Sequence, residues 1–282
     1  SVITGPAAMT LGALLLKDKV FSKTKNTRLM YWTLAVLFVN VSISGGIANF
    51  TPPVLLVAHG WAWDNAYMFH TFGLKALVAV ILNAAIVTMM FKKQLPIAAT
   101  SQSKNDVPAL VIAIHLLFLI GIVVFAHHPT VFIGLLLFFL GYTQAYSKYQ
   151  SPLLLKQALM VSFFLAGLVV LGGLQEWWLE PAVKGMNAQW LFYGSVALTS
   201  IADNAAIAYL GSLVQGTSEA FKYALVSGVL AGGGLTVIAN APNPAGIAIL
   251  RAHFPGQMVS AMYLLLAAIP PTIVAILAYR VL

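Results

Sequence analysis

No cysteine occurs among the 282 residues, which excludes disulfides and thiolate metal sites and leaves redox chemistry silent about the compartment. Charge is scarce: 8% of residues are Asp, Glu, Lys or Arg, against about 25% in an ordinary soluble domain. Acid is the scarcer sign, with 7 Asp and Glu against 15 Lys and Arg. Few carboxylates, no cysteine and no HExxH leave no acid pair or metal cluster for hydrolysis, so an enzyme is not expected. The stretch "SVITGPAAMTLGALLLKDK" has no basic region ahead of its apolar part, so it is not read as a cleavable signal peptide.

What the chain has is apolar bulk, with 60% hydrophobic residues and a mean hydropathy of +0.90. Runs at 29–41, 76–91, 110–126, 131–142 and 153–174 approach or reach the ~20 residues that cross ~30 Å of hydrocarbon as helix. The ~10-residue alternating strands of a membrane β-barrel do not appear. An all-α polytopic membrane protein is the expected fold class. The net charge of +8 gathers in short connections between apolar runs, the positive-inside pattern. It therefore points to a lipid bilayer as partner and not to nucleic acid.

Lys17, Lys19, Lys23, Lys25 and Arg28 mark a cytoplasmic loop. Residues 29–58 then cross outward to "HGWAWDNAYMFH", which has no Lys or Arg and offers Trp61 and Trp63 as interface anchors, as "QEWWLEP" does with its own Trp pair. Residues 72–91 return to Lys92, Lys93 and Lys104. Residues 108–126 lead out to "HHP", 131–146 return to Lys148 and Lys156, and 153–174 exit to "QEWWLEP". Lys75, Lys156 and Lys222 lie near segment ends and are expected to snorkel. His115, alone within a span, reads as a packed, hydrogen-bonded histidine. Two segments are not simple spans: 190–215 carries Asp203 and Asn204 at its middle, and 221–250 is interrupted by "GGG" and two prolines.

The heptapeptide "IANFTPP", starting at Ile47, returns as "IANAPNP" from Ile238. "VSISGG" precedes the first and "LAGGGLTV" the second, and further upstream lie the similar "SVITGPAAMTLGALLL" and "TSIADNAAIAYLGSL". This is an internal repeat. By the charge map the first broken helix runs outward and the second inward, so the copies are expected to be inverted, a mark of secondary transporters with a midplane site. Gly45, Gly46, Pro52 and Pro53 in one copy, and Gly232, Gly233, Gly234, Pro242 and Pro244 in the other, oppose continuous helix; a proline costs ~3 kcal/mol in a helix interior. Such a break is tolerated only where protein buries it or a wet cavity meets it. Freed carbonyls with Ser, Thr and Asn oxygens suit an alkali cation, while freed amides at a helix start suit an anion.

The expected organisation is a first repeat at 1–107 (half a hairpin, broken helix, helix). A second occupies 108–282: three helices, a hairpin around 190–215, a broken helix at 220–250 and a final helix at 258–282. Shifting the second unit's start back by the repeat offset, about 190 positions, predicts about 80 residues ahead of Ser1, or about three helical segments and half of a hairpin.

Asp203 is the one acid placed deep in the membrane, where an ionisable group costs ~2.5 to 3.5 kcal/mol and is functional by default. Desolvation favours a carboxyl's protonated form, so a proton and a cation could compete for it. The competing reading is an Asp that caps the second half of the hairpin. Asn49 and Asn240 occupy matching repeat positions and are expected to line the site with Asp203 as Na+ ligands, or else to hydrogen-bond backbone opened by the breaks. Asn204, Thr51, Thr236, Asn243 and Ser44 complete the candidate set, Ser42 and Ser44 being equally suited to close helix packing.

"SVITGPAAMT", "LLFVNVSISGGIANFTPPVLLVAHGWAWD", "SIADNAAIAYLGSL" and "SGVLAGGGLTVIANAPNPAGIAIL" together resemble the sodium/proton antiporter family of the ion transporter superfamily, over nearly the whole chain. The resemblance implies paired re-entrant hairpins, two broken helices, a mobile transport part on a scaffold, and often a homodimer. It sets one hairpin tip at Thr4, Gly5 and Pro6 and the other at Ala202, Asp203 and Asn204, with "TGP" where the second tip has "ADN". The expected function is Na+/H+ exchange by alternating access in a bacterial inner membrane. No cofactor is expected beyond Na+ as transported or coupling ion. A sodium-coupled carrier of a dicarboxylate or oxyanion is the alternative within transport, and a channel could also use the breaks.

Overall fold

The computed structural model describes residues 4–48, 51–58, 60–95, 107–125, 128–150, 152–153, 155–175, 177, 181 and 186–282. Among these the chain is helical without strands, and three helices, Thr27–Gly46, Asn65–Met90 and Ala261–Val281, are long and apolar enough to cross a membrane. Residues 1–98 with 159–282 form one compact unit and 99–158 a second.

In the smaller unit α6 (Ala109–Val124) packs against α7 (Pro129–Ala145). Leu110, Leu117, Leu137 and Phe138 are exposed, apolar surface of the kind lipid covers. His115 is a packed histidine here: its ring nitrogens meet the Val111 carbonyl at 2.7 Å and Gln150 Oε1 at 3.1 Å, and its ring lies edge-on to Phe139.

The larger unit is built around two broken helices. α1 (Gly5–Lys19) leads to α2 (Thr27–Ile43), whose first turn is capped by the Asn26 side chain accepting the Leu29 N–H. α2 runs into a 3₁₀ turn at Ser44–Gly46, and α3 (Pro52–Ala58) resumes beyond it. α4 (Asn65–Met68) and a π-helical turn, Phe69–Gly73, lead into α5 (Leu74–Met90). After α8 (Leu155–Gly172), α9 (Ala188–Thr199) and α10 (Asn204–Ser212) precede α11 (Glu219–Gly232), an unwound stretch, α12 (Asn243–Leu250) and α13 (Ala261–Val281). The prolines at the breaks open α3 and α12, in the first turn, where no backbone N–H is needed. Glycines therefore carry the unwinding, and prolines start the helix on its far side.

α2 and α11 are apolar nearly all round and almost wholly buried, as helices at the centre of a bundle must be. α2 packs on α1, α5, α11 and α13, and α11 on α9, α10 and α13. Asn83 of α5 ties this bundle together, donating to Asn40 Oδ1 of α2 at 3.0 Å and to the Pro271 carbonyl inside α13 at 3.3 Å.

Side-chain contacts fix the chain directions. Phe21 meets His253 and Phe254, Tyr31 meets Phe254 and accepts the Ser260 N–H, and Trp32 meets Phe91. The start of α2, the end of α12, the start of α13 and the end of α5 thus share one end, with Lys17, Lys19, Lys23, Lys25, Lys92 and Arg251. At the other end Tyr67 donates to Glu219 and Lys222 lies over the Trp61 ring, joining the loop after α3 to the start of α11. The α2–α3 pair and the α11–α12 pair therefore run antiparallel.

A Cβ at Gly228 would meet Phe192 and Ser195, and one at Gly232 would meet Val196 and Thr199, so α9 runs parallel to α11. Gly211 lies against Leu225, and Gly233 against Asn204, so α10 runs back antiparallel to it. α9 and α10 form a helical hairpin that turns at the level of the break. α1 starts at the same level, with Gly5 against Pro242 and Thr51, and runs to the basic end.

Two sequence expectations change. Trp63 is buried, stacked on Tyr67 and tilted against Phe72, so it is core and not an interface anchor. Lys75 does not simply snorkel: its ammonium donates to Tyr223 Oη at 2.8 Å and lies over that ring. Tyr223 in turn donates to the Tyr279 carbonyl, and the fully buried Tyr279 hydroxyl donates to the Ile43 carbonyl at the end of α2. Replacing Tyr279 with Phe should cost about 1 kcal/mol, read as a lower thermal midpoint of the full-length protein in detergent.

Candidate functional site

The two breaks cross each other. Ser42 Oγ donates to the Leu230 carbonyl at 2.7 Å. A Cβ at Gly233 would overlap the Ser42 hydroxyl, and one at Gly234 would lie 2.5 Å from Val39 N. Ser42 and Gly233 each stand five residues before their heptapeptide, so equivalent positions of the two copies touch. Glycine is required here because the backbones themselves approach.

The tip of the α9–α10 hairpin ends against this crossing. Asp203 is half-buried and caps α10, its Oδ1 accepting the Ala205 N–H at 2.9 Å. The capping reading of Asp203 thus holds. The Asn204 N–H donates to the Ala239 carbonyl at 2.9 Å. The Asn204 side chain is buried, with its amide nitrogen 2.6 Å from a Cβ built at Gly233, and among the described residues neither its Nδ2 nor its Oδ1 has a partner.

Among the described residues three more buried oxygens lack partners near the crossing: Thr51 Oγ1 beside Gly45, Asn243 Oδ1, and Thr199 Oγ1, its residue packed on Gly232. Each such atom costs about 1 to 3 kcal/mol unless a ligand or water meets it. Neutral hard oxygens of this kind are the donor chemistry that suits a small monovalent cation.

Other candidates are spent on backbone. Asn243 Nδ2 donates to the Gly233 carbonyl at 3.0 Å and the Thr236 carbonyl at 2.8 Å. Thr236 Oγ1 donates to the Ser200 carbonyl, and Ser44 Oγ to the Val41 carbonyl of its own helix. Asn240 is buried and its carbonyl accepts the Asn243 N–H. Thr4 is exposed and its side chain caps nothing, while its neighbour Gly5 sits at Thr51 and Pro242. Gly45 and Gly46 lie close to Thr51 and Tyr279 respectively, and Pro52 and Pro242 flank the starts of α3 and α12. Asn49 lies outside the described residues. Sequence reasoning missed Thr199 and Tyr279. Thr199 is close enough to Asp203 that the hairpin's first half could have suggested it, whereas Tyr279 lies in the final apolar helix and gives no local signal.

Asn243→Ala would leave the Gly233 and Thr236 carbonyls unpaired. It should lower stability by about 2 kcal/mol, seen as a reduced thermal midpoint of the full-length protein.

An apolar, all-helical chain with three helices able to cross a bilayer, and with broken helices buried at its centre, is an integral membrane protein. Its family is shown by comparison: the family model described as "Putative Na+/H+ antiporter" matches residues 1–282, and the chain belongs to that family. No curated protein and no solved structure shows a significant match.

Proposed function

We propose that the protein exchanges Na+ for H+ across a membrane by alternating access, with Asp203 binding either ion in turn. The observation that carries this reading is the hairpin tip: Asp203 and the Asn204 amide, unpartnered among the described residues, sit where Asn204 meets Gly233 and the Ala239 carbonyl at the crossing. Antiparallel broken helices and reciprocal packing, α1 on α12 and α10 on α3, support two inverted copies, 1–107 and 108–282, with α9–α10 as a re-entrant hairpin. Moving the hairpins and broken helices against the remaining helices would expose the site to each side alternately. The family reading carries with it a homodimer in a bacterial inner membrane.

The test is transport by the full-length protein in proteoliposomes, comparing Na+, Li+ and K+ under an imposed pH gradient. Na+ should move against H+, and the Na+ concentration for half-maximal rate should rise as pH falls, because protons occupy the same carboxylate. Proton movement indifferent to Na+ would sink the reading.

One observation favours a second reading. The starts of α1, α3, α10 and α12 converge at the crossing, and helix N-termini attract anions. A sodium-coupled carrier of a dicarboxylate or oxyanion would use them, and Na+-driven succinate uptake without proton exchange would establish it.

A further inference from the structure

We propose that the basic end of the molecule holds a second site, separate from the breaks, for the phosphodiester headgroup of an anionic phospholipid, seated between α2 and α13. A cavity of about 410 Å³ lies there, lined by Thr27, Arg28, Tyr31 and Trp32 of α2 and by Tyr263, Leu266 and Ala267 of α13. That volume falls within the ~300 to 1,000 Å³ of small-ligand sites.

The lining is graded along the helices. Thr27 and Arg28 lie in the first turn of a 17-residue helix, whose opening N–H groups have no intrahelical acceptor and whose dipole favours negative charge. Arg28 is exposed and makes no ion pair or hydrogen bond among the described residues, so its planar fork is free for two phosphate oxygens. Lys17 and Lys19 in the last turn of α1, and Lys23 and Lys25 in the connection to α2, stand against a single acid, Asp18. One turn deeper the walls turn apolar with Trp32, Leu266 and Ala267.

The wall is also fixed. Tyr31 accepts the Ser260 N–H at 2.9 Å, packs on Phe254 with ring centroids 4.9 Å apart and leans on Tyr263 at 5.7 Å, which pins the start of α13 to α2. The outer side is open, with Tyr263 and Leu266 both more than half exposed. A cation at the mouth, aromatic rings at headgroup level and an apolar floor match one amphiphile: an anion with acyl chains attached. A soluble anion would leave Trp32, Leu266 and Ala267 without a partner. A zwitterionic lipid would set its own cation beside Arg28.

The chemistry is testable because Trp32 lines the cavity. Brominated phosphatidylglycerol and brominated phosphatidylcholine are titrated into delipidated full-length protein in detergent. The Trp32 signal is isolated by subtracting Trp32→Phe. Half-maximal quenching of Trp32 should need at least tenfold less brominated phosphatidylglycerol than phosphatidylcholine. Arg28→Ala should remove the preference and Arg28→Lys should keep part of it; both leave Na+ transport intact, which shows that they fold. Equal quenching by the two lipids, no quenching of Trp32, or a preference that survives Arg28→Ala would overturn the proposal. Displacement of phosphatidylglycerol by excess inorganic phosphate as effectively as by unbrominated lipid would make it a site for soluble anions and overturn it too.

Discussion

Asp203→Asn is expected to reduce Na+-dependent proton movement to the level of protein-free vesicles while leaving the fold intact. Asp203 has two jobs that this substitution separates. As a cap it accepts the Ala205 N–H, and Asn caps a helix about as well as Asp. As a carboxylate it can lose a proton and hold a cation, which an amide cannot. An unaltered thermal midpoint with transport abolished is therefore the expected pair of results. Asp203→Ala should lose transport and also about 1 kcal/mol of stability through the missing cap. Were the residue only a cap, Asp203→Asn would transport normally and only Asp203→Ala would suffer.

The second large effect is structural. Gly234→Ala would set a methyl group into the Val39 backbone, and backbone cannot swing aside as a side chain end can. α2 and α11 would have to separate at the crossing, taking with them the Ser42–Leu230 hydrogen bond and the contact of Asn204 with Gly233. Overpacking costs typically 1 to 3 kcal/mol, so about 3 kcal/mol or more is expected at a backbone contact. Low yield of folded protein and a depressed thermal midpoint are the readouts. Gly134→Ala and Gly141→Ala in α7 are the controls, since a Cβ at either meets nothing within 4 Å, and they should keep stability or raise it by about 0.5 to 1 kcal/mol through helix propensity. A Gly234→Ala protein as stable as these would mean that the helices do not cross this closely.

The parts legible in the sequence were those with local signals. Basic loops ordered the ends correctly for Lys23, Lys92 and Arg251, because charge avoids hydrocarbon whatever the tertiary structure. Gly45, Gly46 and Gly232 to Gly234 marked the breaks, and an acid in the middle of an apolar segment marked the hairpin tip. The prolines carried a different meaning: they read as interruptions, yet they begin α3 and α12. Trp63 beside a polar loop looked like an interface residue, and only the packing of Tyr67 and Phe72 around it makes it core.

What stayed hidden were pairings between distant segments. Ser42 with Leu230, Tyr279 with Ile43 and Asn83 with Pro271 each join residues in different parts of the chain, and no spacing rule foretells them. The division of labour among polar residues was hidden for the same reason. Asn243 satisfies carbonyls opened by the second break and Thr236 satisfies the Ser200 carbonyl just after α9, while among the described residues the atoms left without partners fall on Asn204, Thr51 and Thr199, along with Asn243 Oδ1.

The most direct test of the central claim is proton release on Na+ binding, tracked with a pH indicator in weakly buffered detergent solution of the full-length protein. If the Asp203 carboxyl exchanges one ion for the other, adding Na+ should acidify the solution in proportion to the protein present, K+ should not, and Asp203→Asn should abolish the signal. Na+ that binds without releasing protons, or release that persists in Asp203→Asn, would contradict it.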